Sequence, residues 1–513
     1  MALTALAAAG PTAAFAEADG GAANAPVTAG RMHLRKPALA APSPATTPRW
    51  ACPEGACQAI VIGQRIKVAQ GSGEQRGLDP QDLQSAYNIP ATLEEPQTIA
   101  LVDAYGYPDA ESDLAKYRER YGLPPCTKKN GCFEKVNESG EPRHYPAEEE
   151  GWDLEAALDE DMASAACPQC HILLVEGNGE LPAELGESVN TAVKLGATEI
   201  SNSYAYPEKL KEYCGKKGCS QYNPDYEHPG VLITAASGDS GYADAYFELG
   251  YSTVNFPATS PDVIAVGGTA LFKEEEVPRK WFEEVWNEPF LAAGTGSGCS
   301  KHEPKPAWQT DAGCSKRTDN DVAAVAAAVS PVSVRIDGFW ELVAGTSVAS
   351  PLVAGIEAHA SAHERALGAR AFYEDPGSLF DVTQGFDWDP LDESGTSECA
   401  PNEYLCNAEV GYDGPTGLGT PDGVPVETVK PPTVTKVTPD HGRAAGGRKV
   451  KIEGTNLEGA EEVKFGTATA GFSVRSAKLI TTEAPAGSGT VDVTVTTPDG
   501  TSAITTADQF TYR

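Results

Sequence analysis

Between about residue 78 and residue 425, short runs that are β-branched or apolar throughout alternate with longer stretches whose apolar residues recur at helical spacing. "TIALVDAY" (98–105), "HILLVEG" (171–177), "ATEISNSY" (197–204), "VLITAASGDSG" (231–241) and "VIAVGG" (263–268) are of the first kind, and "DAESDLAKYRERYG" (109–122) and "ESVNTAVKLG" (187–196) of the second. Strands that are apolar on both faces and divided by helices predict an α/β fold: a doubly wound, mainly parallel sheet covered on both sides. Such sheets gather their active sites at the carboxyl ends of the strands.

After "ETVKPPTVT" (427–435) the pattern changes. From residue 432 to residue 513 apolar and polar residues alternate between Gly, Asp and Pro turns with no helical period, which predicts a small all-β immunoglobulin-like sandwich. Upstream, residues 18–77 are rich in Ala, Pro, Gly and Ser and are expected to form a leader or short pro-segment. Residues 1–17 end an Ala/Leu run in Ala-Phe-Ala, like the end of a secretory signal peptide whose basic start is missing. No later run is apolar enough to span a membrane.

The chain has 513 residues, enough for more than one domain. Its twelve cysteines fall in close pairs, from Cys52 and Cys57 to Cys399 and Cys406, and predict six small-loop disulfides and a secreted, extracellular protein. Cys167-Pro-Gln-Cys170 could serve zinc, but no second unit of matching spacing accompanies it. A formal charge of -34 repels nucleic acid and anionic membranes and suits a protein that stays soluble in acid.

Candidate chemistry centres on "ELVAGTSVASPLVAG" (341–355), where Ser347 stands at a strand-to-helix junction. A serine needs a proton acceptor. None of the eight histidines lies in a Gly-x-His-Val-Ala-Gly box, no early Asp-Thr/Ser-Gly box is present, and His359 and His363 are expected three and four turns further along the helix. A Ser-His-Asp triad is therefore not expected. A carboxylate could replace the histidine. In "EEEGWDLEAALDEDMASAACP" (148–168) Leu154, Leu158 and Met162 recur every four residues, and Glu155 and Asp159 share the same spacing. Buried together, two such carboxyls hold a shared proton and can accept a serine proton in acid. The alternative is a solvated acidic face that includes Asp153, Glu160 and Asp161. Asp239, in "SGDSG" at a strand end, is either a turn residue or a carboxylic acid placed to donate to an oxyanion.

The order Glu-x-x-x-Asp, Ser-Gly-Asp-Ser-Gly, Gly-Thr-Ser-x-Ala-x-Pro, Tyr-Asp-x-x-Thr-Gly-Leu-Gly resembles the sedolisins, serine-carboxyl peptidases with a subtilisin fold that work at acid pH. "LDPQDLQSAYNIP" (78–90) is similar to the opening of their mature domain, and "FPATSPDVIAVGG" (256–268) to the strand after their oxyanion loop. The resemblance implies a peptidase domain over residues 78–427 with Ser347 as nucleophile, Glu155 as general base, Asp159 orienting and protonating Glu155, and Asp239 as oxyanion partner. Asp103 would extend the carboxylate network. It also implies one calcium ion (Ca2+) in "LFDVTQG" and "AEVGYDGPTGLG", held by the side chains of Asp381 and Asp413 and the carbonyls of Val382, Glu409 and Gly411. Three features depart from the family pattern. Glu409-Val410-Gly411 replaces Gly-x-Gly, Tyr204 replaces the tryptophan of a Ser-x-Ser-Trp-Gly-Gly box, and the residues ahead of position 78 are not expected to form the family's long folded propeptide.

The tail resembles the IPT/TIG family through the Pro-x-x-Gly opening at Pro439–Gly442, "APAGSGTVDVTV" (484–495) and the final Phe510-x-Tyr512. The function expected is that of a secreted, monomeric, acid-active endopeptidase with polypeptide substrates. The alternative is a catalytically silent extracellular binding protein on a peptidase scaffold, against which stands the filling of all four catalytic positions. DNA binding through the IPT/TIG domain is opposed by the acidic charge, and a cell-surface or extracellular polymer suits that domain better.

Overall fold

The computed structural model describes residues 48–52, 56–66, 77–93, 95–208, 214, 218–243, 254–387, 399, 402–425, 431–497 and 500–513. The expected signal-peptide remnant lies outside these residues, as does most of the Ala/Pro-rich segment. The 427 boundary falls outside them too.

The strands expected from the apolar runs form. We number the strands before residue 425 that matter here β1 (Arg49–Trp50), β2 (Ile60–Ile66), β3 (Thr98–Ala104), β4 (Phe133–Asn137), β5 (His171–Gly177), β6 (Glu199–Asn202), β7 (Leu232–Ala236), β8 (Ile264–Lys273), β9 (Trp281–Val285), β10 (Val322–Val325), β11 (Val332–Ile336) and β12 (Phe339–Ala344). The helices that matter are α1 (Ala110–Tyr121), α2 (Glu150–Ala166), α3 (Pro182–Lys194) and α4 (Thr346–Glu357). An eight-stranded sheet runs β9-β8-β7-β6-β3-β5-β4, with β10 also pairing β8. All its pairings are parallel except β8 with β9. In β3, Ile99, Ala100, Leu101 and Val102 are all fully buried, as a strand covered on both faces requires.

A second sheet runs in the order β1-β2-β12-β11 and takes in part of residues 18–77. Arg49–Trp50 and Ile60–Ile66 are strands of this sheet. "AIVIGQRI" (59–66) is a hydrophobic strand that finds an antiparallel partner in β12, with Ile60 opposite Ala344 and Val61 opposite Val343. The helix after Ser347 is also shorter than expected. It ends at Glu357, and His363 belongs to a separate helix over Ala362–Leu367 that starts at the Ser361 cap.

Helices α2 and α4 pack closely. A Cβ on Gly355 would lie 2.5 Å from Ala166 Cβ, so the small residues of both helices let their backbones approach. All twelve cysteines pair as the spacing predicts, which removes the zinc alternative at Cys167 and Cys170.

The tail is all-β, in two sheets with one core that includes Val450, Ile452, Val463, Phe465, Val493, Val495 and Phe510. Along Lys449–Thr455 exposed and buried positions alternate without exception. Among the described residues no helix is long and apolar enough to cross a membrane.

Candidate active site

Four elements bring the candidate residues together. Ser347 occupies the first turn of α4, just after β12 gives way at Gly345, and is fully buried. Glu155 and Asp159 lie one turn apart on α2, both fully buried. Asp239 follows β7 and Asp103 sits near the end of β3, at 0 % and 1 % exposure. The solvated-face alternative for α2 is overturned: Asp153, Glu160 and Asp161 are also buried, at 2 %, 1 % and 1 % exposure.

Burying so many carboxyls favours their neutral forms. Glu155 is pushed well above the usual carboxylate range, first by burial and then by the charges of Asp103 and Asp239, while the Ser347 hydroxyl favours its ionised form. Asp159 is likewise raised by burial, by Asp103 and by Glu155, and opposed by the Ser203 hydroxyl. Burial and the neighbouring Glu176 push Asp103 up to about 8. Asp103 and Glu176 are paired across β3 and β5, and Glu176 is in turn held by Lys135 Nζ at 2.9 Å.

The hydrogen bonds fix some of these groups and leave others free to act. Asp239 Oδ1 accepts from the Thr346 N–H and the Thr346 hydroxyl, each at 2.7 Å. Asp159 Oδ1 accepts from Ser203 Oγ at 2.7 Å. Neither oxygen of Glu155 accepts a well-formed hydrogen bond from the protein. Ser347 Oγ donates to the Ser203 carbonyl at a long 3.4 Å and lies beside Glu155, whose ionised form it favours. Catalytic hydrogen bonds are often loose before substrate binds. The Ser347 N–H points out of the helix start and donates to the Gln58 carbonyl at 3.2 Å.

Sequence reasoning missed Ser203, Thr346 and Gln58. Ser203 lies in "SNSYAY", which drew notice only for Tyr204, and Thr346 lies inside the serine box itself. Tyr204 is fully buried, its hydroxyl donating to Asn202 Oδ1 at 2.6 Å and lying 3.1 Å from that of Tyr226.

The residues expected to hold calcium meet in two adjoining loops. Asp381 Oδ2 accepts from the Gly411 N–H at 2.9 Å, and Asp413 Oδ2 from the Glu409 N–H at 3.0 Å. Asp413 is fully buried, and burial together with the Asp381 charge pushes it up to about 7 despite three hydrogen bonds that favour its ionised form. Among the described residues no lysine or arginine pairs with either aspartate. A buried carboxylate beside a second one suits a hard cation.

Comparison with known proteins agrees with this architecture. Residues 156–370 match the Subtilase family and residues 432–512 the IPT/TIG domain. The chain is similar to kumamolisin of Bacillus sp. (strain MN-32), 29% identical over 373 residues that cover 70% of this chain and 65% of that protein. It is similar to sedolisin of Pseudomonas sp. (strain 101), 26% identical over 387 residues that cover 71% of this chain and 63% of that protein. The chain thus spans somewhat less than two thirds of the length of these relatives. The solved structure of Pseudomonas sedolisin complexed with two molecules of pseudo-iodotyrostatin matches with a TM-score of 0.56 and 24% identity, covering 68% of this chain and 97% of that one.

Fold and match together define a domain of the subtilisin-like class of folds. Within that class the chain is similar to kumamolisin and sedolisin, and an IPT/TIG domain match follows at residues 432–512.

Proposed function

We propose that the protein is an acid-active serine-carboxyl endopeptidase. The observation that carries this reading is the convergence of the Ser347 hydroxyl with the buried carboxyls of Glu155 and Asp159. Ser347 Oγ attacks the scissile carbonyl carbon and passes its proton to Glu155. Asp159, fixed by Ser203, shares the proton of the pair and sets the orientation of Glu155. The oxyanion receives the Ser347 N–H and the carboxylic-acid form of Asp239. Glu155 then returns the proton to the leaving amine, and water releases the acyl group by the reverse path.

A carboxyl pair suits acid, where an imidazole would already carry its proton. With both members raised by burial, the singly protonated pair persists above the ordinary carboxylate range, and full ionisation towards neutral pH ends catalysis. Calcium, held by Asp381, Asp413 and the carbonyls of Val382, Glu409 and Gly411, would supply the positive charge that the buried Asp413 lacks and tie the two loops together. Glu409 is the point of departure from the family pattern. The disulfides suit a protein working outside the cytoplasm, and the IPT/TIG domain suits attachment to an extracellular or cell-surface polymer.

The test is hydrolysis of an unfolded protein substrate from about pH 3 to pH 8 by wild type, Ser347→Ala and Glu155→Gln. Activity confined to acid and abolished by both substitutions is expected. A rate that stays flat to pH 8, or that survives Glu155→Gln, would overturn the mechanism.

A further inference from the structure

The charge of the chain is unevenly divided. Residues 432–513 carry nine Lys or Arg and nine Asp or Glu, so the whole of the formal -34 lies in residues 1–431. Within the tail the two sheets differ again. We number the strands of one of them β13 (Thr433–Thr438), β14 (Lys449–Thr455), β15 (Phe472–Ser476) and β16 (Leu479–Glu483), paired in the order β13-β14-β16-β15. They bear Lys436, Lys449, Lys451 and Arg475 against two acids, Glu453 and Glu483. The strands of the other sheet bear Asp492 and Lys464, and Lys464 is paired with Glu462 at 2.5 Å.

Strand register aims the cations. On β14 the buried Val450 and Ile452 face the core, so Lys449, Lys451 and Glu453 face outward by alternation. Lys451 stands opposite Thr438 on one side and Thr481 on the other, and Thr481 stands opposite Ser473. One outward row thus sets a cation among three hydroxyls. Arg475 joins the row: its Nε donates to Thr481 Oγ1 at 3.1 Å, which holds the guanidinium over the same face. Same-face neighbours on a strand are roughly 7 Å apart and adjacent strands roughly 5 Å, so Lys449, Lys451 and Arg475 can meet one short polymer segment.

These side chains line a shallow groove of about 810 Å³, and Lys449, Lys451, Ser473 and Arg475 are exposed with the rest of the chain in place. Among the described residues none of the three cations forms an ion pair, although Glu483 stands opposite Lys449 in the register. Unpaired cations gathered on one face complement an anionic partner.

The partner that fits has carboxylates for the cations and hydroxyls for the Thr and Ser row. Single-stranded nucleic acid is held by stacking on aromatic platforms, and the aromatic ring beside this groove, Phe472, packs against the core. A DNA duplex carries one charge per about 1.7 Å, which the acidic larger unit repels strongly. A polysaccharide with one carboxylate per sugar spreads its charge more thinly and offers a hydroxyl array between the charges.

Resting on the reading that the IPT/TIG domain attaches the protein to an extracellular polymer, we infer that the outer face of β13-β14-β16-β15 binds a carboxylate-bearing polysaccharide. Arg475 and Lys451 meet its carboxylates, Arg475 through the guanidinium edge that Thr481 leaves open. Thr438, Thr481 and Ser473 meet its hydroxyls.

The experiment measures binding of the full chain, carrying Ser347→Ala so that it is not digested, to polygalacturonate at about pH 5, where the polymer's carboxylates are ionised. The comparison polymers are the methyl ester of polygalacturonate, which keeps the sugars and removes the charge, and polyaspartate, which keeps the charge and removes the sugars. Expected are saturable binding to polygalacturonate that weakens with added salt, and much weaker binding to the other two. Lys451→Gln and Arg475→Gln are each expected to raise Kd roughly tenfold, with Lys464→Gln on the other sheet unchanged and Tm unmoved in all three. Equal binding to the methyl ester, or a Kd unmoved by both groove variants, would overturn the inference and leave polymer attachment standing. Equal binding to polyaspartate would overturn the polysaccharide as partner. Failure to bind any of the three, or a neutral glucan, would overturn the attachment reading and this inference together, whatever the hydrolysis assay of the wild type shows.

Discussion

Asp239 and Thr346 are joined twice: one carboxylate oxygen, Oδ1, accepts both the Thr346 N–H and the Thr346 hydroxyl at 2.7 Å. The hydroxyl in turn accepts from the Gly238 N–H at 3.2 Å. The loop after β7 is thereby locked to the start of α4, one residue from the serine, with Asp239 Oδ2 turned towards the Gly345 side of the cleft.

Thr346→Val keeps the shape of the side chain and removes both hydroxyl contacts. Loss of hydrogen bonds to a buried carboxyl costs about 1–3 kcal/mol, which urea unfolding will read. If the lock aims Asp239, kcat falls about tenfold or more with little change in KM. Asp239→Asn removes the proposed acid donor and is expected to lower kcat by roughly 10²–10³. An unchanged kcat in both variants would separate Asp239 from the chemistry.

Stability is expected to fall as pH rises. Asp103 titrates near 8 in the folded chain against 3.8 for the ordinary group, and Glu155 and Asp159 are raised as well. The folded state therefore binds more protons than the unfolded state across this window. Its contribution is fully present below about pH 4 and is lost as pH rises towards about 8, with a limiting slope of about 1.4 kcal/mol per pH unit for each proton. Thermal unfolding of wild type at pH 4, 6 and 8 should show Tm dropping, and Asp103→Asn should flatten the drop. A Tm that climbs with pH would contradict the buried-carboxyl account.

The contact of α2 with α4 sets the distance between Glu155 and Ser347, because one residue rides on each helix. A side chain at Gly355 would meet Ala166 Cβ at 2.5 Å and the Ala163 carbonyl at 3.2 Å. Gly355→Val is expected to destabilise by about 1–3 kcal/mol and to depress kcat more than KM. Ser347 is eight residues away on the same helix, so a loss confined to KM would argue that the helix contact does not position the serine.

Chelation is expected to lower Tm and added calcium to restore it. The mass-action stabilisation is about 2.7 kcal/mol at a hundredfold excess over Kd. Asp413→Asn should abolish the response, since it removes the buried charge that the ion would neutralise. A Tm indifferent to chelator in the wild type would count against the site.

Much of this protein could be read before it was folded. The apolar runs around Leu101, Leu174 and Ile233 specify buried parallel strands because a covered sheet has no polar face, and the cysteine pairs are close enough in sequence to close their own loops. The order of the boxes around Glu155, Asp239 and Ser347 pointed to the family by itself. Local pattern could not say whether Asp153, Glu160 and Asp161 face water. That depends on what packs against α2, and in the fold all three are buried, with Asp161 accepting from the Arg335 N–H of β11 at 2.8 Å. Nor could it show that "IVIGQRI" is a strand of the larger unit, since its partner β12 lies some 280 residues away in the chain. The carbonyl at the Ser347 N–H has the same origin: Gln58 has no signature of its own, and only long-range pairing on both sides of it sets it against the serine.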